Sequence, residues 1–360
     1  MLVLHARAGL VSAPPNLQRH FMNQSAMLFL ITLVLVGLGS IAQANGQYEI
    51  QSYEAGLFAQ AAQMDQEMLQ GCRNCSVAGT AGDQICNATY DTIFNKGVVS
   101  IHLAFGYMDV SEGMYVSWGG ANLDANESVD GAAEAAFVNQ VLQPCYGYLS
   151  GACGFQRDAV HSGLLLKRVV YRGRSILLKI QVTHSSATPD LETNLHEAAW
   201  QQNAMSQQSE RNFFGALGDA DLLVYTGHAR GGGGPDFHPP RLNSRGTPNY
   251  AGYYRPVKPG LRALTSALSV APKVPSLLAV LGCNSDSLFR RSILATRPKL
   301  GLITLSNLTD FDAVFRESYL IIDGFLKQEC AATYRGSLEQ MSAQTGARPI
   351  LTNFLTTFPY

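Results

Sequence analysis

Two residues that together could carry out nucleophilic chemistry follow two short apolar stretches. The stretch Asp221–Thr226 (DLLVYT) leads into His228, and the stretch Ser276–Leu281 (SLLAVL) leads into Cys283, 55 residues later. A cysteine attacks as its thiolate, and a nearby imidazole can remove the thiol proton. Neighbouring parallel strands lie about 5 Å apart, so two adjacent strand ends could bring these side chains together. The sequence therefore predicts a Cys–His pair.

Backbone groups beside this pair could stabilise a negatively charged intermediate. Gly282 allows the chain to turn tightly before Cys283, whose amide then points into the same cleft as the histidine. Ala229 comes directly after His228 and offers a second backbone N–H group. N–H donors that converge on one point form an oxyanion hole. We therefore expect the backbone at Ala229 and Gly282 to take this role.

Two other interpretations of the histidine segment are weaker. His228, Asp236 and His238 could be metal ligands, but their spacing is loose and no fourth ligand is obvious. The run Gly231–Gly234 lacks the G-x-x-x-x-G-K-[ST] pattern of a phosphate-binding loop, and prolines follow it closely. We expect this run to form a mobile rim of the cleft.

The elements that must position these residues are predicted from the pattern of apolar residues. Wholly apolar strands that alternate with helices predict an α/β fold with a mostly parallel sheet covered on both faces. The predicted strands are Val98–Tyr107, Leu164–Tyr171, Ser175–Thr183, Asp221–Thr226, Ser276–Leu281 and Gly301–Ser306. The predicted helices are Tyr53–Gln70, Ala132–Val141, Leu191–Gln207, Glu210–Leu217, Leu261–Val270, Ser285–Ala295 and Phe311–Lys327.

Other strand ends supply candidates for substrate contacts, because ligands bind at the carboxyl ends of strands in such sheets. His184 and Asn307 each follow a predicted strand, and Arg230 lies two residues after His228. Asp310 and Asp312 could line a pocket for a basic side chain. Asp310 is equally suited to cap the helix that begins after it.

Residues 1–44 have the features of a secretory signal peptide. Met27–Leu38 is uncharged and apolar over twelve residues, which suits an h-region and falls short of the roughly 20 residues of a transmembrane helix. Ala42 and Ala44 supply a small-x-small cleavage site. We expect a secreted or periplasmic mature chain that starts at Asn45 and is not inserted in a membrane. An uncleaved anchor is the alternative.

Cysteine usage agrees with export, because an oxidising compartment favours disulfides. The seven cysteines all follow the leader, and an odd number leaves at least one thiol without an intramolecular partner. We expect that thiol to be Cys283, with a Cys283–Cys330 disulfide as the alternative. The full set is Cys72, Cys75, Cys86, Cys145, Cys153, Cys283 and Cys330.

Composition excludes two classes of protein. Only 15% of the 360 residues are charged and 46% are hydrophobic, which excludes a disordered polyelectrolyte. The 26 lysines and arginines balance 27 aspartates and glutamates, so the chain lacks the basic excess that nucleic-acid binding requires. No nucleic-acid partner is expected.

The two strand ends resemble the histidine and cysteine boxes of clan CD cysteine peptidases, which include caspases, legumains and gingipains. The boxes are Leu222–Ala229 (LLVYTGHA) and Leu277–Cys283 (LLAVLGC), and Gly282–Phe289 (GCNSDSLF) is similar in layout to the legumain cysteine box. The resemblance covers roughly residues 170–330 and departs at Ala229, where the family has glycine. It implies a three-layer α/β/α caspase-like fold. It also implies Cys283 as nucleophile and His228 as general acid/base, with no metal or other cofactor.

The resulting hypothesis divides the chain into three parts. Residues 1–44 are the signal peptide, residues 45–165 a Cys-rich α+β region that acts as a cap, propeptide or accessory domain, and residues 166–360 the caspase-like catalytic domain. The expected activity is hydrolysis of peptide or protein substrates by an exported cysteine endopeptidase through a thioester acyl-enzyme. A catalytically silent, secreted binding module with the same fold is the alternative, and a metal-dependent hydrolase is a weaker one.

Overall fold

The structure of the protein, a computed structural model, describes most of the chain after residue 80. The described residues are 81–108, 116–118, 121–123, 129–145, 151–186, 199–239, 244, 249–254 and 256–355. The predicted signal peptide, the predicted helix Tyr53–Gln70 and two cysteines, Cys72 and Cys75, lie outside these residues. No helix within the described ranges is both long and apolar enough to cross a membrane.

The described residues form ten strands and seven α-helices. The strands are β1 (Val98–Phe105), β2 (Val116–Trp118), β3 (Ala121–Leu123), β4 (Gln156–Arg157), β5 (Leu164–Tyr171), β6 (Arg174–Thr183), β7 (Leu222–Thr226), β8 (Leu277–Leu281), β9 (Gly301–Leu305) and β10 (Pro349–Thr352). The helices are α1 (Ala81–Phe94), α2 (Val129–Leu142), α3 (Ala199–Ala216), α4 (Pro259–Val270), α5 (Arg291–Thr296), α6 (Phe311–Leu326) and α7 (Ala331–Thr345).

Eight of these strands form one mixed sheet in the order β10-β9-β8-β7-β1-β6-β5-β4, and β2 pairs with β3 in a separate ribbon. Strands β9, β8, β7, β1 and β6 run parallel, whereas β10, β5 and β4 pair antiparallel with their neighbours. Every residue of β7, β8 and β9 is buried, as expected of parallel strands covered on both faces. The predicted α/β fold is confirmed.

The predicted hairpin between β5 and β6 is also confirmed. Tyr171 pairs with Arg174 across a two-residue turn. Both turn residues, Arg172 and Gly173, have positive φ values of 47° and 79°, which is the backbone of a type I′ turn.

Helices cover both faces of the sheet. Successive residues of a buried strand point to opposite faces, so each strand contributes apolar side chains to both helical layers. Val224 of β7 belongs to a hydrophobic core shared with α1, α2, α6 and α7, where Phe315 is fully buried. Its neighbours Leu223 and Tyr225 belong to a second core, shared with α3, α4 and α5, where Phe213 is buried. The strand ends are therefore held between two packed helical layers.

The fold does not follow the division expected at residue 165. That boundary falls inside β5, and β1 lies between β6 and β7 in the middle of the sheet. All described residues belong to one compact unit. The expected boundary does not match the fold because parallel strands pair with neighbours that are distant in sequence, and the central strand β1 comes from the segment before that boundary.

Two disulfides connect the described cysteines. Cys86 of α1 is bonded to Cys330, 244 residues later, and Cys145 is bonded to Cys153. Cys283 is the free cysteine of the described residues, as expected. The alternative Cys283–Cys330 disulfide is wrong, because the sulfur of Cys330 is bonded to Cys86. Two disulfides are compatible with export into an oxidising compartment.

Candidate active site

The ends of β7 and β8 lie side by side and carry the histidine and the cysteine. Thr226 pairs with Leu281 in the parallel ladder, and the N–H of Gly227 continues it by donating to the carbonyl oxygen of Leu281 at 3.0 Å. His228 and Cys283 each lie two residues beyond this last pair. The predicted placement of the two residues on neighbouring strand ends is therefore observed.

Gly282 permits this close approach of the two strand ends. A Cβ atom added at Gly282 would lie 2.6 Å from the carbonyl oxygen of Gly227 and 3.1 Å from the backbone nitrogen of Ala229. Any larger residue would push β8 away from β7 at the point where the two side chains emerge. The glycine before the cysteine is thus a packing requirement of the site.

The imidazole of His228 is oriented by a backbone carbonyl from a third strand end. Its Nε2 atom lies 3.0 Å from the carbonyl oxygen of Met108, which follows β1. A carbonyl oxygen only accepts hydrogen bonds, so Nε2 carries the proton and Nδ1 has the free lone pair. Burial, with the nearby Arg230 cation, lowers the pKa of His228 to about 3 although the Met108 hydrogen bond opposes this shift. The ring is therefore uncharged at neutral pH.

The thiol of Cys283 is partly exposed, and its hydrogen-bond partner lies after β9, the neighbour of β8 on the side away from β7. The thiol donates to the carbonyl oxygen of Thr309 at 3.3 Å. Asn284, with a φ of 53°, donates its N–H to the carbonyl oxygen of Asn307 at 2.8 Å, which joins the ends of β8 and β9. The thiol and the His228 ring are not hydrogen-bonded to each other.

Backbone N–H groups next to both side chains are available as donors. Among the described residues, the N–H groups of Ala229 and Cys283 have no backbone acceptor. Ala229 is right-handed (φ −77°, ψ −16°) and Arg230 is left-handed (φ 45°), a sequence of conformations that points successive N–H groups into an anion-binding concavity. Alanine adopts this φ without strain. The backbone here is therefore undisturbed by having alanine where clan CD peptidases have glycine.

Tyr225 fixes the loop that follows the histidine. Its buried hydroxyl accepts from the N–H of Asp236 at 2.8 Å and lies 3.1 Å from the carbonyl oxygen of His228. The sequence pattern gives no sign of this role, because a tyrosine in an apolar strand is indistinguishable from an ordinary core residue.

The glycine run differs from the mobile rim that was expected. The N–H groups of Gly232 and Gly234 both donate to the carbonyl oxygen of Ala229, at 2.8 and 3.1 Å, and Gly232–Gly234 is buried. Tyr253 packs against Gly233. The run is a hydrogen-bonded turn packed against Tyr253.

Two of the residues expected to contact substrate instead have structural partners. Arg230 is buried; its Nε donates to Asp236 at 2.8 Å and its guanidinium lies 5.6 Å from the centre of the Tyr253 ring. Asp310 caps α6, because its carboxylate accepts from the N–H of Ala313 at 2.8 Å. The helix-cap interpretation of Asp310 is confirmed. The side chain of Asp312 is not among those that the structure describes.

The remaining two candidates also join elements of the fold. The Asn307 side chain donates to the carbonyl oxygen of Gly346 at 2.8 Å and accepts from the N–H of Arg348 at 2.9 Å. The Nδ1 atom of His184 lies 2.6 Å from the Glu134 carboxylate. Burial opposes protonation of His184, but the Glu134 hydrogen bond and charge outweigh it and raise the pKa of the ring. None of the four candidates bonds to Cys283 or His228.

The proposed metal ligands do not converge. His228 bonds to Met108, Asp236 to Arg230, and the His238 ring to Glu210 at 3.0 Å. Within the described residues no group of three metal-ligating side chains is close enough to hold an ion.

Comparison of the chain with protein-family models, with curated proteins and with solved structures gives no significant match. The assignment of function therefore depends on the geometry of Met108, His228 and Cys283 and on the sequence of the two boxes.

Proposed function

We propose that the protein is an exported cysteine endopeptidase, with a caspase-like arrangement of sheet and helices, that cleaves peptide bonds through Cys283 and His228. The main support is one observation. The free thiol and a histidine oriented by the Met108 carbonyl emerge from adjacent strand ends. Structural thiols are usually buried or bonded into disulfides, whereas this thiol is partly exposed and an uncharged imidazole follows the adjacent strand.

The first step is transfer of the thiol proton to His228. Because Nε2 is bonded to Met108, the free lone pair on Nδ1 is the acceptor. The thiol leaves the Thr309 carbonyl oxygen and turns toward the ring. The thiolate then attacks the scissile carbonyl carbon, and the Met108 oxygen stabilises the imidazolium that forms.

The second step is collapse of the tetrahedral intermediate. Its oxyanion accepts from the backbone N–H groups of Ala229 and Cys283, which have no backbone acceptor of their own. The C–N bond breaks, and His228 returns its proton to the leaving amine. Water, deprotonated by the same imidazole, hydrolyses the thioester and regenerates the thiol.

A catalytically silent binding module is the second candidate. It is favoured by the hydrogen bond from Cys283 to Thr309, which occupies the thiol, and by the absence of a hydrogen bond between the thiol and His228. In that case the strand ends would form a rigid peptide-binding edge without chemistry. The two candidates differ in whether peptide bonds are broken.

Hydrolysis of a fluorogenic peptide library tests the proposal. We expect cleavage by the purified wild type and by His238→Ala, a histidine variant outside the dyad. Cys283→Ala and His228→Ala are expected to lose at least about 1,000-fold in kcat/KM. Equal cleavage by Cys283→Ala and wild type would assign the activity elsewhere. Binding without cleavage in all four proteins would support the silent module.

A further inference from the structure

A pocket of about 250 Å³ lies between the strands β1 and β6 and the helix α3, on the helical layer opposite α6. It does not include any residue of the Cys283 site. Its lining residues are His102, Gln181, Arg211, Asn212, Gly215, Ala216 and Asp219.

The pocket exists because two positions lack the apolar side chains that would fill it. A Cβ atom added at Gly215 of α3 would have no other atom within 4 Å, so the helix leaves open space there. On β1, Ile101 and Leu103 point into the first core, and His102 between them faces the opposite side. A polar ring therefore forms the floor where a core residue would be expected.

Opposite charges line this pocket. Arg211 lies on α3, Asp219 lies in the turn after the helix ends at Ala216, and both residues are exposed. Within the described part of the chain, neither side chain makes a hydrogen bond or ion pair, with the other or with any third residue. Two charges of opposite sign are thus available to one ligand.

His102 and Gln181 supply neutral polar groups to the lining. Burial lowers the pKa of His102, and the charge of Asp219 only partly opposes this shift, so the ring is uncharged near neutral pH. The Gln181 amide nitrogen is bonded to the carbonyl oxygen of Ser162 at 3.1 Å, which leaves its side-chain oxygen as an acceptor. The negative end of the α3 dipole adds to Asp219 and favours a cation at that end.

We propose that this pocket binds a small zwitterion of dipeptide size, with its carboxylate on Arg211 and its ammonium group on Asp219. An extended dipeptide spans about 7 Å between its termini, which lets one molecule contact two separate side chains of this pocket. The guanidinium fork suits a carboxylate, and an ammonium group donates to a carboxylate and to the Gln181 oxygen. The proposal does not depend on the role of Cys283.

Calorimetric titration of the full chain with L-alanyl-L-alanine tests the site. We expect saturable binding to wild type that is lost when the probe is N-acetylated or C-terminally amidated. Arg211→Gln and Asp219→Asn are each expected to weaken binding at least about tenfold, since each removes a charge-assisted hydrogen bond. Arg291→Gln, which changes an exposed arginine on α5, should bind as wild type does.

A second pair of variants separates a filled pocket from a damaged fold. Gly215→Leu should abolish binding, whereas Gly336→Leu should not, although both glycines are exposed helical positions with open space at Cβ. Cys283→Ala should bind like wild type, which separates this site from the proposed active site. The proposal is overturned if the dipeptide does not bind, if the blocked dipeptides bind equally well, or if Gly215→Leu binds normally.

Discussion

The Nε2 atom of His228 lies 3.0 Å from the carbonyl oxygen of Met108, a residue 120 positions earlier in the chain. The bond joins the ends of β7 and β1, which are neighbours in the sheet. It selects the imidazole tautomer whose Nδ1 atom is free to accept a proton. In the proposed mechanism this backbone carbonyl takes the role that a side-chain carboxylate has in many catalytic triads.

Tyr225→Phe is expected to lower both stability and activity. The change removes the hydroxyl that bonds to the Asp236 N–H and the His228 carbonyl oxygen and leaves these buried groups without that partner. We expect a loss of about 1–3 kcal/mol in the free energy of unfolding and a lower kcat for any Cys283-dependent hydrolysis. Urea denaturation and steady-state kinetics measure the two effects.

Tyr171→Phe is the matched control for this prediction. The Tyr171 hydroxyl bonds to Asp91 at the far side of the sheet and is partly exposed. The Tyr171→Phe substitution should lower the free energy of unfolding by less than Tyr225→Phe does, and it should leave kcat unchanged. A normal kcat in Tyr225→Phe would show that the hydroxyl does not position the histidine loop.

Gly282→Ala is expected to separate the ends of β7 and β8. The added Cβ would lie 2.6 Å from the Gly227 carbonyl oxygen, so the backbone must shift. We expect a loss of about 1–3 kcal/mol in the free energy of unfolding and slower alkylation of Cys283. Gly336→Ala, where Cβ meets open space on a helix, should be neutral or stabilise by up to about 1 kcal/mol. Equal stability of the two variants would contradict this account of Gly282.

The Glu317 carboxyl group is expected to make stability fall with rising pH. Both of its oxygens are buried and have no hydrogen-bond partner among the described residues, and burial raises its pKa from 4.5 to about 8. Between these values the native protein holds a proton that the unfolded chain has released. Raising the pH through this window therefore favours unfolding, by up to about 1.4 kcal/mol per pH unit.

Glu317→Gln removes this ionisation and provides the measurement. The difference in unfolding free energy between the variant and wild type should grow in favour of the variant from pH 5 to pH 8 and level off above pH 8. Denaturant titrations at several pH values determine it. Parallel pH profiles for the two proteins would show that Glu317 does not keep its proton in the folded state.

The two disulfides are expected to contribute unequally to stability. Cys86–Cys330 closes a loop with a sequence separation of 244, whereas Cys145 and Cys153 are only 8 residues apart. In the loop-entropy view the longer loop gives the larger stabilisation, on the order of 5 kcal/mol. Thermal unfolding of the two double Cys→Ser variants tests this. A larger fall in Tm for the Cys145/Cys153 variant would contradict it.

The sequence predicted the parts of the site that come from contiguous, strongly apolar strands. Runs such as Leu222–Thr226 and Leu277–Leu281 have few conformational alternatives, so the sequence alone predicts that the residues after them lie at the sheet edge. The sequence predicts two helices that are separated near residue 208, whereas the structure has one helix, Ala199–Ala216. Its polar sequence gives only a weak periodic signal at that point.

Other parts could not be predicted because they depend on pairing between distant segments. The insertion of β1 between β6 and β7 places the Met108 carbonyl beside His228, and a backbone carbonyl has no signature in the sequence. Arg230 and Asn307 were expected to contact substrate because they follow strands. Their actual partners, Asp236 and Gly346, lie in loops whose positions depend on the folded structure. The sequence pattern does not predict the helix α7, because the apolar face of this helix is narrow.

Alkylation of Cys283 by iodoacetamide at pH 7, mapped by mass spectrometry, tests the central claim most directly. We predict that Cys283 reacts faster than a model thiol, and that His228→Ala slows this reaction at least about tenfold, whereas His238→Ala leaves it unchanged. The disulfide-bonded cysteines serve as internal negative controls. Reaction of Cys283 at the same rate in wild type and His228→Ala would contradict the claim that the imidazole activates this thiol.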